Sequence, residues 1–177
     1  MKFGLTAVAE AGGAILAHSL KLPDKTFKKG RILNAEDITR LAEAGIHSVV
    51  AARLEAGDVH EDEAAGQLAD AVCGPGLRAG AAFTGRCNLF AREAGLLLMD
   101  ADRLNRLNRV HEALTIATLP EYAMVAPKQM LATVKIIPFA APRDALGETL
   151  AIAADEDTPI LRVAPFRPRR VGVIQTE

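Results

Sequence analysis

Asp58, His60, Glu61, Asp62 and Glu63 stand within six positions in the stretch "DVHEDEAA". Carboxylates around an imidazole are the donor set of a metal-dependent hydrolase. They are also what the first turn of a helix favours, because the helix dipole stabilises each acidic side chain there by about 0.3–1 kcal/mol. Metal binding needs donors that converge on one point, whereas four consecutive helical residues point around most of the circumference. His60 also lacks a second histidine four residues later, so the zinc-protease spacing is absent. The helix-start reading prevails, and no metal ligand is assigned. Asp58 with Glu61 three positions on resembles a capping box, while Ala64, Ala65, Leu68 and Val72 share one face, and Gly74–Pro75 ends the helix. The first-turn carboxylates are then expected to face solvent.

A second stretch with chemical potential is "TGRCNLFA", residues 84–91. Gly85 permits close backbone approach, Arg86 offers a planar fork for phosphate or carboxylate, and Asn88 can cap a short helix over 88–94 whose N-terminus attracts anions. These three are the candidate substrate- or phosphate-binding residues, set against the reading of an ordinary loop. No catalytic residue is assigned. His18, His47, His60 and His111 are scattered, and no nucleophile–base spacing recurs. Thr115 and Thr118 fall on opposite faces of a strand, and Lys135, alternating with apolar neighbours, reads as solvent-facing. Neither a dinucleotide fingerprint nor a phosphate-binding G-x-x-x-x-G-K-[ST] loop is present.

The elements that must position these residues are legible from periodicity. Short strands are expected over 3–9 and 14–20, around Ala11–Gly12–Gly13. Asn34 is a good N-cap for a helix with Asp37 in its first turn, a buried stripe of Ile38, Leu41 and Ala42, and a stop at Gly45–Ile46. Strands follow over 48–54, 95–99, 112–119 and 130–139. Asp100 caps a helix carrying Leu104 and Leu107, and Leu146, Thr149, Leu150 and Ala153 mark another. "ILRVAPF" reads as a strand, "RPRR" as a linker, and "VGVIQTE" as the start of a further strand.

Composition closes several function classes. The chain has 177 residues, half of them hydrophobic, which is enough for a substantial core and argues against disorder. There is no Trp, one Tyr and six Phe, too few for base-stacking platforms. With 21 basic and 22 acidic residues the formal charge is −1, which gives no reason to expect nucleic acid or an anionic membrane as partner. Cys73 and Cys87 stand apart without C-x-x-C spacing and read as free thiols of a reducing cytoplasm.

Taken in order, "VAEAGGAILAHSLKL", "FKKGRILNAEDITRLAEAGIHSVVAARLEAGDVHEDEAA", "FTGRCNLFAREAGLLLMD", "LNRVHEALTIATL" and "MLATVKIIPFAAP" resemble the N-terminal region of bacterial molybdopterin-binding proteins. These are relatives of the molybdopterin molybdenumtransferases, some of them fused to a molybdenum-cofactor nucleotidyltransferase domain. The resemblance implies an N-terminal, non-catalytic part of a molybdenum cofactor biosynthesis protein, which positions or dimerises a downstream pterin-binding domain. The parent protein would be a transferase handling molybdopterin, molybdate and, in some members, Mg2+. Residues 1–177 would bind no cofactor themselves, and molybdopterin or a nucleotide would engage the domain that follows. "RRVGVIQTE" resembles the opening of that domain's first strand, although Glu177 stands where the family's Thr-Gly ending places glycine.

The expected fold is α+β, with two mixed subdomains of short strands and short helices. Residues 1–55 with 120–142 would form the first, its 130–139 strand pairing there, and 56–119 an inserted second. Residues 143–170 would supply a helix, a strand and a linker, and 171–177 the first strand of a truncated α/β domain. The two rival functions are a small-anion or saccharide-binding module built on Arg86, and a metal-dependent hydrolase built on residues 58–63. A cytoplasmic homodimer is expected.

Overall fold

The computed structural model describes residues 1–176 and shows an α+β protein with two main hydrophobic cores and a small third cluster around Phe139. In the first unit β1 (Lys2–Ala7), a 3-10 turn (Val8–Glu10), β2 (Ile15–Leu16), β3 (Leu20–Lys21), β4 (Thr26–Phe27), α1 (Ala35–Glu43) and β5 (Ser48–Arg53) follow in order. The strand order is β1-β5-β2, all antiparallel, beside a small β3-β4 ribbon. Val8, Leu16, Phe27, Leu33, Leu41 and Val49 fill its core.

The sequence signals for α1 translate directly into bonds. The Asn34 side chain accepts from the Asp37 amide at 2.9 Å, and Asp37 accepts in return from the Asn34 amide at 3.2 Å, which completes a capping box. Gly45 takes φ +73°, and the Ile46 amide reaches back to the Leu41 carbonyl at 2.9 Å, closing the helix in the left-handed manner its glycine predicts. The buried stripe is narrower than expected. Leu41 is buried and Ile38 half-buried, but Ala42 is exposed, because a nine-residue helix on a small sheet covers only one line of side chains.

The second unit contains β6 (Asp58–His60), α2 (Glu61–Val72), β7 (Leu77–Ala79), β8 (Arg86–Ala91), β9 (Gly95–Met99), α3 (Ala101–Val110), β10 (Leu114–Thr118), β11 (Met124–Val125), β12 (Met130–Ile136), β13 (Ala140–Pro142), α4 (Arg143–Ala153) and β14 (Leu161–Pro165). Its main sheet runs β10-β12-β8-β7, all antiparallel, with α2 packed on the inner face against β8 and β12. A second sheet runs β11-β9-β14, and α4 packs against α2 and α3.

Three expectations are corrected here. Residues 88–94 are not a short helix. Arg86–Ala91 is a strand in which Cys87, Leu89 and Ala91 point inward, a period of two that a helix cannot satisfy. Residues 130–136 pair with β8 and β10 rather than with the first unit, because Leu131, Ala132, Val134 and Ile136 bury against α2. Of the expected return segment, Phe139 is the residue that packs into the first unit, beside Ile15, Ala17 and Ala52. Residues 143–165 belong to the second core, through α4 and the β14–β9 pairing, rather than forming a separate appendage.

The expected strand over 171–177 is not formed in the described part. Residues 171–176 carry no strand, and Val171, Val173 and Ile174 are 80, 88 and 91% exposed. A strand needs a neighbour to take its backbone hydrogen bonds, and none lies beside this segment. Glu177 lies outside the described residues. Among those residues, no helix is long and apolar enough to cross a membrane.

Candidate functional site

The helix start at residue 61 lies two positions later than the Asp58 cap would put it. Asp58–His60 instead pairs with Ala140–Pro142 as the β6–β13 ribbon, so the chain turns helical only after His60. His60 is the N-cap, its Nδ1 accepting from the Asp62 amide at 3.2 Å. Asp58 does other work. Its carboxylate lies 2.8 Å from the Met1 amino group and accepts from the Glu55 amide at 2.7 Å, and the amino group holds it below the usual carboxylate range.

The start of α2 is locked to the turn "FTGR". Phe83 and Arg86 exchange backbone hydrogen bonds of 2.9 and 3.1 Å around Thr84 and Gly85, whose φ angles are +50° and +66°. Two positive φ values in succession are what a type I′ hairpin turn requires. Glycine meets that demand freely, but a β-branched threonine does so only under strain. Three bonds hold the turn in place. The Gly85 amide donates to Asp62 Oδ1 at 2.7 Å, the Gly85 carbonyl accepts from the Ile136 amide at 2.7 Å, and Lys135 Nζ donates to the Thr84 carbonyl at 2.8 Å. Gly85 is also sterically obligatory. A Cβ there would collide with Glu61 Oε2 and come within 2.8 Å of the Ile136 carbonyl and 3.1 Å of Lys135 Nζ.

Glu61 is therefore seated over Gly85, half-buried, contrary to the solvent-facing position expected of a first-turn carboxylate. Its carboxylate makes no ion pair within 4.0 Å and no side-chain hydrogen bond among the described residues. Burial pushes the carboxyl up from its ordinary value. The positive charges of Lys135, His60 and Lys29 oppose that rise and Asp62 adds to it. Lys135, expected to face solvent, is half-buried and reaches across the turn.

These groups share a cavity of about 400 Å3 between the two units, lined by Lys29, Gly30, Glu61, Thr84, Lys135 and the 137–139 segment. Lys29 Nζ sits 5.5 Å from the centre of the Phe139 ring, within cation–π range. The cavity thus has two ammonium groups, one poorly solvated carboxyl, and an apolar wall of Ile137, Pro138 and Phe139. Such a set can hold an anion and an attached organic group, or exchange a proton at Glu61.

None of the three residues singled out from sequence lines this cavity; Gly85 lies beside it, in the turn that carries Thr84 and seats Glu61. Arg86 is exposed in β8, opposite Lys135 in register, and does not line the cavity. Asn88 caps no helix. It lies mid-strand and its Oδ1 accepts from Thr133 Oγ1 at 2.9 Å. Lys29, Thr84 and Lys135 were missed. Gly85 just before the alternating run at 86–91 was a turn signal that would have put residue 86 in a strand and the turn at its end. Among the described residues, no three His, Cys, Asp or Glu side chains gather to hold a metal ion. Burial raises both the Cys73 and the Cys87 thiols, which disfavours the reactive thiolate.

Residues 6–53 match a family described as a domain of unknown function (DUF8806), a span that runs from within β1 to the end of β5. No curated protein and no solved structure matches the chain.

Proposed function

We propose that this chain is the accessory, N-terminal part of a molybdenum cofactor biosynthesis protein, acting in the cytoplasm and as a homodimer. The observation that carries the reading is where the resembling blocks meet. "FKKG", "DVHEDEAA", "FTGR" and "TVKIIPF" are spread along the sequence, Lys29 and Phe139 standing 110 positions apart. Each contributes to the one cavity, through Lys29 and Gly30, Glu61, Thr84, and Lys135 with Phe139. Blocks that resembled the family only because they build a core would have no reason to converge on a polar cavity.

In this reading the cavity is a wall of the cleft in which a downstream domain holds the phosphorylated pterin or a nucleotide. The chain orients that ligand and leaves the chemistry to the downstream domain. Ordinary calorimetry distinguishes the outcomes. Residues 1–177 alone bind molybdopterin, its adenylylated form or a nucleoside triphosphate no tighter than about millimolar, near −4 kcal/mol, and show no molybdate insertion or nucleotide transfer. Joined to a pterin-binding domain, the chain sharpens that domain's affinity, and replacing Lys135 by Met removes the gain. Turnover by residues 1–177 alone, or a joined protein indifferent to Lys135, contradicts the reading.

A further inference from the structure

From the geometry of the cavity, we infer that it is a binding site for a small organic phosphate monoester, gated by the protonation of Glu61. The inference rests on the cavity itself and stands or falls separately from the cofactor reading.

Two observations point to a dianion. Lys135 and Lys29 both line the cavity, and neither makes an ion pair within 4.0 Å among the described residues. Lys135 is half-buried, and a half-buried ammonium is usually paired because an unpaired charge forfeits solvation with no return, whereas Lys29 is exposed and adds its charge from the rim. Lys135 spends one of its three N–H donors on the Thr84 carbonyl, which fixes the ammonium at the cavity edge and leaves two donors for a ligand. The strained turn supports that placement. Thr84 accepts an unfavourable backbone conformation so that its carbonyl meets Lys135, while Gly85 lets Glu61 close over it.

The volume excludes a bare anion as the natural occupant. About 400 Å3 is several times what a phosphate fills, and the remaining wall of Ile137, Pro138 and Phe139 is apolar. The phosphoryl group belongs at the two lysines and the organic part on Phe139.

Glu61 supplies the gate. The charged groups acting on it are Lys135 from β12, Lys29 from the first unit, His60 at the end of β6 and Asp62 next to it on α2. Ionised, Glu61 repels a phosphoryl group arriving at Lys135. Protonated, it becomes a hydrogen-bond donor to the same group. The burial that raises its carboxyl brings this change closer to neutral pH than for an ordinary glutamate. Affinity must therefore rise as the pH falls.

The test is a 1H–15N NMR titration with two probes. Phenyl phosphate, added at about pH 7, measures the whole site. Inorganic sulfate, which stays a dianion throughout, measures the gate between about pH 8 and about pH 5. The expected result is saturable shifts at the amides of Lys29, Gly30, Glu61, Thr84 and Lys135, with phenyl phosphate binding more tightly than sulfate. Lys135→Met weakens both probes at least about tenfold, the loss of one charge-assisted contact. Lys29→Met, at an exposed position that tolerates the change, weakens them too, so the inference stays testable even if the Lys135 variant misfolds. Arg86→Ala leaves binding unchanged. Glu61→Gln tightens sulfate at the alkaline end and flattens the pH slope. A pH slope that survives Glu61→Gln overturns the gate. The absence of saturable shifts, or equal affinity in the lysine variants, overturns the site.

Discussion

The two helices α1 and α2 begin with nearly the same sequence chemistry and put it to opposite uses. Each opens with acidic residues in its first turn. At α1, Asp37 is buried, takes two bonds of 2.8 Å from the Arg31 guanidinium, and closes the capping box with Asn34. Arg31 in turn rests 4.9 Å from the centre of the Phe27 ring. Arg31 holds the Asp37 carboxyl below its usual range. At α2, Glu61 is only half-buried but has no partner among the described residues, and burial holds it above its usual range. A carboxylate with both oxygens hydrogen-bonded is part of the scaffold. One kept half-dry beside lysines that do not reach it is held ready for something else. The direction of the pKa displacement, with its geometric cause, separates structure from candidate function where sequence composition does not.

The largest expected effect is at the turn that keeps Glu61 in place. Gly85→Ala forces a side chain onto a φ of +66° and drives a Cβ into the Ile136 carbonyl and the Glu61 carboxylate. It should cost about 3 kcal/mol, read as a drop in the urea midpoint with the denaturant slope unchanged. An equally stable variant would show that the turn is not pinned.

At the other helix, Asp37→Ala removes a cap and two charge-assisted bonds at once and should cost about 2–3 kcal/mol. Asn34→Ala removes the cap alone and should cost about 1 kcal/mol. If the two losses come out equal, Arg31 contributes nothing and α1 is held by its cap alone.

The pH dependence sharpens the comparison, because the signs are opposite. Asp37 has a depressed folded value, so its contribution is full above about pH 4 and is lost as the pH falls through that lower value. Glu61 has a raised folded value, so the native state keeps its proton where the unfolded chain has lost it. Stability from Glu61 is greatest below about pH 4 and falls as the pH rises through the raised value. Glu61→Gln should therefore raise the thermal midpoint slightly at about pH 7 and leave it unchanged near pH 4. This is the smallest of the effects. A lowered midpoint at neutral pH would mean that the ionised carboxylate stabilises the fold.

The same contrast explains what the sequence made legible. The α1 cap, the Gly45 stop, the buried face of α2 and the Asp100 cap of α3 all depend on neighbours within a few residues, and each was readable from spacing. The α+β class followed from the same local periods. Asp58 failed as a cap because a pairing with Ala140–Pro142, eighty residues away, kept it in a strand. Asn88 failed as a cap because alternation on β8 was decided by burial under α2. The cavity is non-local in the same sense. Lys29, Glu61, Thr84 and Lys135 come from four separate elements or loops, and no window of the sequence contains more than one pair of them. Only the Thr-Gly turn at 84–85 left a local trace.

The central claim is that Glu61 and Asp37 are displaced in opposite directions for opposite reasons. A side-chain 13C NMR titration of the two carboxyl groups in the intact chain tests it most directly. The expected result is an Asp37 midpoint below about 3.9 and a Glu61 midpoint above about 4.3, the ordinary values for each residue type. Saturating phenyl phosphate should raise the Glu61 midpoint further, since the protonated form is the one that admits the ligand. A Glu61 midpoint at or below its ordinary value would mean that the carboxylate is solvated or paired with Lys135 in solution, and would contradict the account.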